Sequence, residues 1–176
     1  MVSRVAGGVA GALMALLAAT GVAAQEESDN QVAAKTDWSV FEDADPKECW
    51  AVSSPKKTVN TRDGRVVSVR RGEILLMVFY RPAADVDGQI TFTGGYPFAN
   101  GSTVTLDVDG ADFDLFTEGE WAWPATPDDD AEIIAAMKAG TKATLTARST
   151  RGTKTEDEFS LLGFTAALEE AEKRCK

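Results

Sequence analysis

Short segments in which apolar and polar residues alternate fill the middle of the chain and predict β-strands. Residues 103–108 and 143–148 both alternate one apolar with one polar side chain, which is the period of a strand with a single buried face. Residues 74–80 are apolar throughout and predict a central strand covered on both faces. Asp-Gly, Asn-Gly and similar turn dipeptides separate such segments at short intervals. The pattern predicts a mostly β fold, an antiparallel β-sandwich or barrel.

Two short helices are predicted among the strands. Residues 127–139 follow Thr126, which is suited to cap a helix N-terminus, and begin with a proline and three aspartates that favour the first turn. Residues 164–175 form the second predicted helix. Its apolar stripe repeats at intervals of four, three and four residues and consists of Phe164, Leu168, Ala171 and Cys175. We therefore expect Cys175 to face the body of the domain.

The N-terminal segment has the organisation of a cleavable signal peptide. Arg4 precedes an uncharged, apolar stretch, and small residues lead into a polar run that starts at Gln25. We predict cleavage after Ala24, so that residues 1–24 are the signal peptide; a retained anchor helix is the alternative. Residues 25–35 are predicted to be a flexible polar lead-in, and residues 36–176 a single β domain that does not span a membrane.

The charge of the chain argues against polyanionic partners. The net charge of −10 becomes −11 without the signal peptide, because that segment contributes only Arg4. A field of this sign repels nucleic acid and anionic membranes. Residues 56–81 are the exception, with seven basic residues and two acidic ones. We expect these basic side chains to be solvated strand surface, and docking of an anionic partner is the alternative.

Two cysteines, Cys49 and Cys175, remain after cleavage. In an exported chain they meet an oxidising environment, so we predict a disulfide between them. A zinc site is not expected, because structural zinc takes four nitrogen or sulfur ligands and the chain has no histidine.

Catalytic chemistry is restricted by the same composition. Without histidine, the commonest general base and the usual nucleophile pairs are missing. We therefore expect no enzyme activity, cofactor or metal, and a pair of carboxylates acting as a glycosidase is kept as an alternative. The acidic segment 107–114 is interpreted as a hairpin around Asp109-Gly110 rather than a calcium loop.

Aromatic residues supply the clearest binding hypothesis. Trp121 and Trp123 lie two positions apart and so share one face of an extended segment. Tyr96, or alternatively Phe98, would join them if the loop at Gly94-Gly95 folds over that face. Such rings can stack on a sugar, although packing in the core or at an interface is the commoner role of strand aromatics.

Six short segments follow one another along the chain: Asp37-Trp38-Ser39-Val40, Cys49-Trp50-Ala51-Val52-Ser53, residues 106–110, Glu118-Gly119-Glu120, residues 130–140 and Ser160-Leu161-Leu162-Gly163-Phe164. In this order they resemble the invasion-associated locus B family of bacterial exported proteins. The resemblance covers nearly all of the chain after residue 24. Phe116 and Glu120 stand at the approximate places where many members carry a second cysteine pair.

The resemblance implies a non-catalytic β-sandwich in the periplasm or outside the cell, and it transfers no functional residues beyond the cysteines. The leading hypothesis is an exported envelope protein with a binding or structural role toward an unknown protein or glycan partner. The first alternative is a carbohydrate-binding module that uses Trp121 and Trp123. The second is the carboxylate-dependent glycosidase.

Overall fold

A computed structural model describes residues 30–176, so the predicted signal peptide lies outside the described residues. The helices are α1 (Pro127–Ala139) and α2 (Phe164–Cys175). The strands are β1 (Gln31–Lys35), β2 (Trp38–Ala44), β3 (Lys47–Ser53), β4 (Lys57–Arg62), β5 (Arg65–Val66), β6 (Leu75–Arg81), β7 (Val86–Thr93), β8 (Thr103–Val108), β9 (Ala111–Glu118), β10 (Trp121–Trp123), β11 (Lys142–Arg148) and β12 (Lys154–Ser160).

The strands form one antiparallel sheet in the order β1-β2-β3-β6-β7-β10-β9-β8-β11-β12-β4-β5. Its two edge strands, β1 and β5, do not pair with each other, so the sheet is open. The sheet nevertheless curls over its own core. The indole Nε1 of Trp38 on β2 donates to the carbonyl of Ser160 at the end of β12, at 2.9 Å. The predicted mostly β, antiparallel architecture with two helices is confirmed.

The inner face of the sheet follows the alternation seen in the sequence. Val104, Leu106 and Val108 on β8 are buried, and the residues between them are partly or fully exposed. On β6, Leu76, Val78 and Tyr80 face the core, while Met77 is buried on the opposite side. Both faces of β6 are therefore at least partly covered, as its continuous apolar sequence predicts.

Both helices keep the bounds predicted from their sequence signals. The Thr126 hydroxyl accepts the amide of Asp129, and the Asp129 carboxylate accepts the amide of Thr126 in return, which closes a capping box. The apolar stripe of α2 is buried along its length. Within residues 30–176, neither helix is long and apolar enough to cross a membrane.

Within the segment 25–35, which we expected to be a flexible lead-in, Gln31–Lys35 form strand β1, whereas residues 25–29 lie outside the described residues. Ala33 packs against the core, and β1 pairs with β2. Lys35 also lies directly against Gly163, where a Cβ atom would stand 1.9 Å from the Lys35 carbonyl oxygen. The sequence of β1 lacks a strong strand pattern. The strand therefore depends on its pairing with β2 and on its contact with Gly163.

The predicted disulfide joins Cys49 on β3 to Cys175 at the end of α2. Both cysteines are buried, and their Cα atoms lie 5.8 Å apart. The bond closes a loop of 126 residues in sequence separation. In the chain-entropy description, a loop of this size stabilises the fold by up to roughly 5 kcal/mol. It fixes the last turn of α2 to the sheet.

Replacement of Cys49 or Cys175 by serine should lower the melting temperature, with a loss of about 2–5 kcal/mol in unfolding free energy. The Cys49→Ser/Cys175→Ser double variant should be no less stable than the weaker single variant, because both remove the same covalent bond. Thermal unfolding and non-reducing peptide mapping provide the measurement. Additive losses in the double variant, or two free thiols in native protein, would contradict the bond.

Candidate functional site

The outer face of the sheet carries a row of aromatic side chains. Phe41 on β2 stands opposite Trp50 on β3, and Trp50 stands opposite Phe79 on β6. Their rings are stacked, with centroids 5.5 Å and 5.9 Å apart. All three side chains are half-buried and reach solvent on the side away from the core. The chain therefore presents aromatic surface outside its hydrophobic core.

Trp121 and Trp123 extend this face on β10. Ala122 between them is fully buried, so the alternation of the strand turns both indoles outward. Trp121 is 46% exposed and Trp123 is half-buried. The two tryptophans form one side of an open groove of about 360 Å³, which we call the aromatic groove and which is lined by Phe79, Arg81, Gln89, Thr91, Trp121 and Trp123.

The polar side chains of the aromatic groove are held in fixed positions. The guanidinium of Arg81 lies 4.1 Å from the centroid of the Phe79 ring and 3.2 Å from a carboxylate oxygen of Glu48. It also donates to the Gln89 side-chain oxygen at 3.1 Å. Flat rings beside oriented donors and acceptors can stack on the face of a sugar and bind its hydroxyl groups.

Tyr96, the third predicted aromatic, lies elsewhere and does not line the aromatic groove. Its ring packs edge-on against Phe98, with centroids 5.3 Å apart, and the Arg71 guanidinium lies 5.0 Å from its centroid. Its hydroxyl shares a hydrogen bond with the hydroxyl of Thr155. The structure thus brings two of the three predicted binding aromatics together and places the third in a polar cluster around Arg71.

That cluster contains a buried ion pair between Arg71 and Asp157. The guanidinium donates to both carboxylate oxygens, at 2.7 Å and 2.5 Å, and its Nε donates to the carbonyl of Gly94 at 2.8 Å. The side chain of Asp157 is 0% exposed and that of Arg71 is 6% exposed. Burial raises the pKa of Asp157, and the Arg71 guanidinium opposes that rise. Sequence reasoning missed this pair, although Asp157 occupies an inward position of β12 between Thr155 and Phe159.

A second and larger cavity of about 590 Å³ opens beside this pair. Four arginines line it, together with Tyr96, five serine and threonine residues and a single carboxylate, that of Glu120. We call it the arginine cleft and define it by Arg62, Arg70, Arg71 and Arg151. All but Arg151 come from the basic stretch that was interpreted as plain solvated surface.

With this geometry in place, comparison with known proteins gives the family. A family model described as invasion associated locus B (IalB) protein matches residues 42–172. The chain belongs to this family. The crystal structure of invasion associated protein B from Bartonella henselae is similar with a TM-score of 0.55 and 20% sequence identity, over 79% of this chain and 94% of that one. It shares the fold. No curated protein sequence matches significantly.

In this invasion-associated locus B protein, two carboxylates whose pKa values are shifted by their surroundings form structural hydrogen bonds. Asp130 on α1 accepts the amide of Ile90 at 2.7 Å, and burial raises its pKa to about 6. The pKa of Asp109 is lowered because its carboxylate accepts the amide of Thr141. This bond connects the β8–β9 hairpin to the start of β11. Within residues 30–176, no three Asp, Glu or Cys side chains are grouped to hold a metal ion.

Replacing Asp157 by asparagine should cost about 3–5 kcal/mol in unfolding free energy, because it leaves the buried Arg71 guanidinium without a counter-charge. Arg71→Met should have a comparable effect, and the double variant should lose less than the sum of the two. Urea unfolding measures all three.

Glu156→Gln is the matched control on the same strand, since Glu156 pairs with Lys154 on the surface at 3.3 Å. Removing an exposed pair should change stability by less than about 1 kcal/mol. Equal effects of Asp157→Asn and Glu156→Gln would show that the buried pair does not hold this part of the fold.

Proposed function

We propose that this chain is an exported, non-catalytic binding protein of the bacterial envelope and that its aromatic groove contacts a glycan. The observation that carries the proposal is the presentation of Trp121, Trp123 and Phe79 on one outward face, beside Arg81 and Gln89. Carbohydrate binding was the first alternative from the sequence. Because of the outward aromatic side chains of this groove, we rank a glycan first among the ligand classes.

A glycan suits this surface better than a small apolar ligand for two reasons. The groove is open, so it can accept one face of a chain of rings without enclosing it. Sugar rings present apolar C–H faces with hydroxyl groups at their edges, and the aromatic groove offers rings with polar side chains beside them. Phe41 and Trp50 continue the aromatic surface past the groove. A protein partner would use that longer surface.

Two observations support export to the periplasm or the cell exterior. Residues 1–24 have the pattern of a signal peptide. The Cys49–Cys175 disulfide fits an oxidising compartment.

The non-catalytic assignment rests on the absence of histidine from the sequence and on the carboxyl groups whose pKa burial raises. Of these, Asp130 is bonded to a backbone amide and Asp157 to Arg71. Neither lines the aromatic groove. No specific contact in residues 30–176 favours the glycosidase alternative.

Export predicts that protein isolated from its native source begins at Gln25 or its cyclised form, because signal peptidase cleaves after small residues such as Ala24. Intact-mass measurement on the native material checks this. A cytoplasmic pool that begins at residue 1 or 2 would contradict export.

For the glycan proposal, Trp121→Ala should weaken binding to any glycan identified on an array by roughly tenfold or more, equivalent to about 1.4 kcal/mol. Trp121 is exposed, so the substitution should leave the fold intact, and Trp123→Ala should act in the same direction. Titration calorimetry with the selected glycan measures the change.

Leu162→Ala is the matched control, because Leu162 is an exposed apolar residue outside the groove. Equal binding by the Leu162 and Trp121 variants would refute the groove as the glycan site. Capture of one periplasmic protein, lost in Trp50→Ala and with no glycan bound, would identify a protein partner instead.

A further inference from the structure

The arginine cleft carries more positive than negative charge. Arg62, Arg70 and Arg151 are exposed at its walls, and none of the ion pairs within residues 30–176 includes any of them. Only Arg71 is neutralised, by Asp157. Three free arginines against Glu120 leave a net charge of +2 at the cleft, in a chain whose overall charge is −10.

The walls of the cleft are fixed rather than loose. Residues 67–73 have no regular secondary structure, yet Arg71 binds them to β12 and to Gly94. The amide of Gly72 also donates to the Gly95 carbonyl at 2.8 Å. On the other side, Arg62 donates to the Thr153 hydroxyl at 2.7 Å. The cleft is therefore formed before any ligand arrives, which lowers the entropic cost of binding.

The turn that carries Arg151 is also closed by hydrogen bonds. The amide of Gly152 donates to the Ser149 carbonyl at 2.9 Å, and the amide of Thr153 donates to the Ser149 hydroxyl at 3.2 Å. This tight turn carries Arg151, which lines the cavity together with Arg70.

The arginine and hydroxyl side chains that line the cleft favour an oxyanion as the ligand. Guanidinium groups bind oxyanions through paired N–H donors, and the hydroxyl groups of the cleft add further donors. A phosphate monoester carries about −1.5 to −2 charge near pH 7, which matches the local +2 better than a single carboxylate does. The volume of about 590 Å³ lies within the range of small-molecule sites.

We propose that the arginine cleft binds a phosphate group, between Arg62, Arg70 and Arg151, carried by free phosphate or by a small phosphorylated molecule. This site is separate from the aromatic groove. In this proposal, three basic residues of the stretch 56–81 form part of an anion site instead of plain solvated surface. They are Arg62, Arg70 and Arg71.

The test is a calorimetric titration of the purified protein with inorganic phosphate, glucose 6-phosphate and glucose at constant ionic strength. Both phosphates should show saturable binding, and an excess of glucose, which lacks the phosphate group, should displace neither of them. The Arg70→Gln/Arg151→Gln variant should bind phosphate roughly tenfold or more weakly, because two charged donors are lost. Tighter binding of glucose 6-phosphate than of inorganic phosphate identifies a phosphorylated molecule as the ligand, and equal binding identifies free phosphate.

Arg65→Gln is the matched control, since Arg65 stands opposite Arg62 on the β4–β5 hairpin but does not line the cleft. It removes the same unit of charge as each cleft substitution and should leave phosphate affinity within about twofold, as expected for an exposed charge outside the site. Trp121→Ala should also leave it unchanged, which separates this proposal from the glycan proposal. Absence of saturable binding up to millimolar phosphate, or equal weakening by Arg65→Gln and by either cleft substitution alone, would overturn it.

Discussion

The buried ion pair between Arg71 and Asp157 holds together the wall of the arginine cleft, the proposed anion site. It joins an irregular segment, residues 67–73, to an inner position of β12 and to the loop at Gly94. A buried pair of this kind contributes little net stability compared with an apolar replacement. Its effect here is geometric, because the Arg71 guanidinium donates to both oxygens of Asp157 and also to the Gly94 carbonyl and the Asn60 side-chain oxygen.

The same constraint explains why glycine is required at position 95. Gly95 has a positive φ of 71°, and a Cβ atom there would lie 2.7 Å from the backbone of Gly72. The two backbones approach this closely because Arg71, the neighbour of Gly72, donates to the carbonyl of Gly94. Tyr96 follows directly and stacks beneath the Arg71 guanidinium. An aromatic predicted to bind a ligand is thus used to support the wall of the cleft.

The two candidate binding surfaces differ in chemistry, but they are lined by residues that are neighbours in the sequence. Glu120 lines the arginine cleft, and its neighbour Trp121 lines the aromatic groove. Thr93, which pairs with Trp121, is followed by Gly94, whose carbonyl binds Arg71. The start of β10 therefore connects a surface suited to sugar rings with a cavity suited to an oxyanion.

Local signals in the sequence predicted local structure well. The bounds of α1 and α2 follow from caps and an apolar stripe, and the inward faces of β8 and β11 follow from simple alternation. To predict the disulfide, it was enough that the exported chain has two cysteines and that one of them lies on a buried helical face. The partners of Arg71, Tyr96 and Asp130 could not be predicted, because they depend on sheet register between residues far apart in sequence; 86 positions separate Arg71 from Asp157. Strand β1 was missed because its residues show no clear alternation, although it pairs with the neighbouring strand β2 and packs against the distant Gly163.

The most direct test of the constraint imposed by this ion pair is hydrogen–deuterium exchange at the Gly72 amide. In the native protein this amide should be protected, because it donates to Gly95. In Asp157→Asn it should exchange much faster, while amides in β6 and β7 stay protected and show that the sheet is still folded. Rapid exchange of Gly72 in the native protein, or unchanged protection in the variant, would contradict the claim that the Arg71–Asp157 pair fixes the cleft.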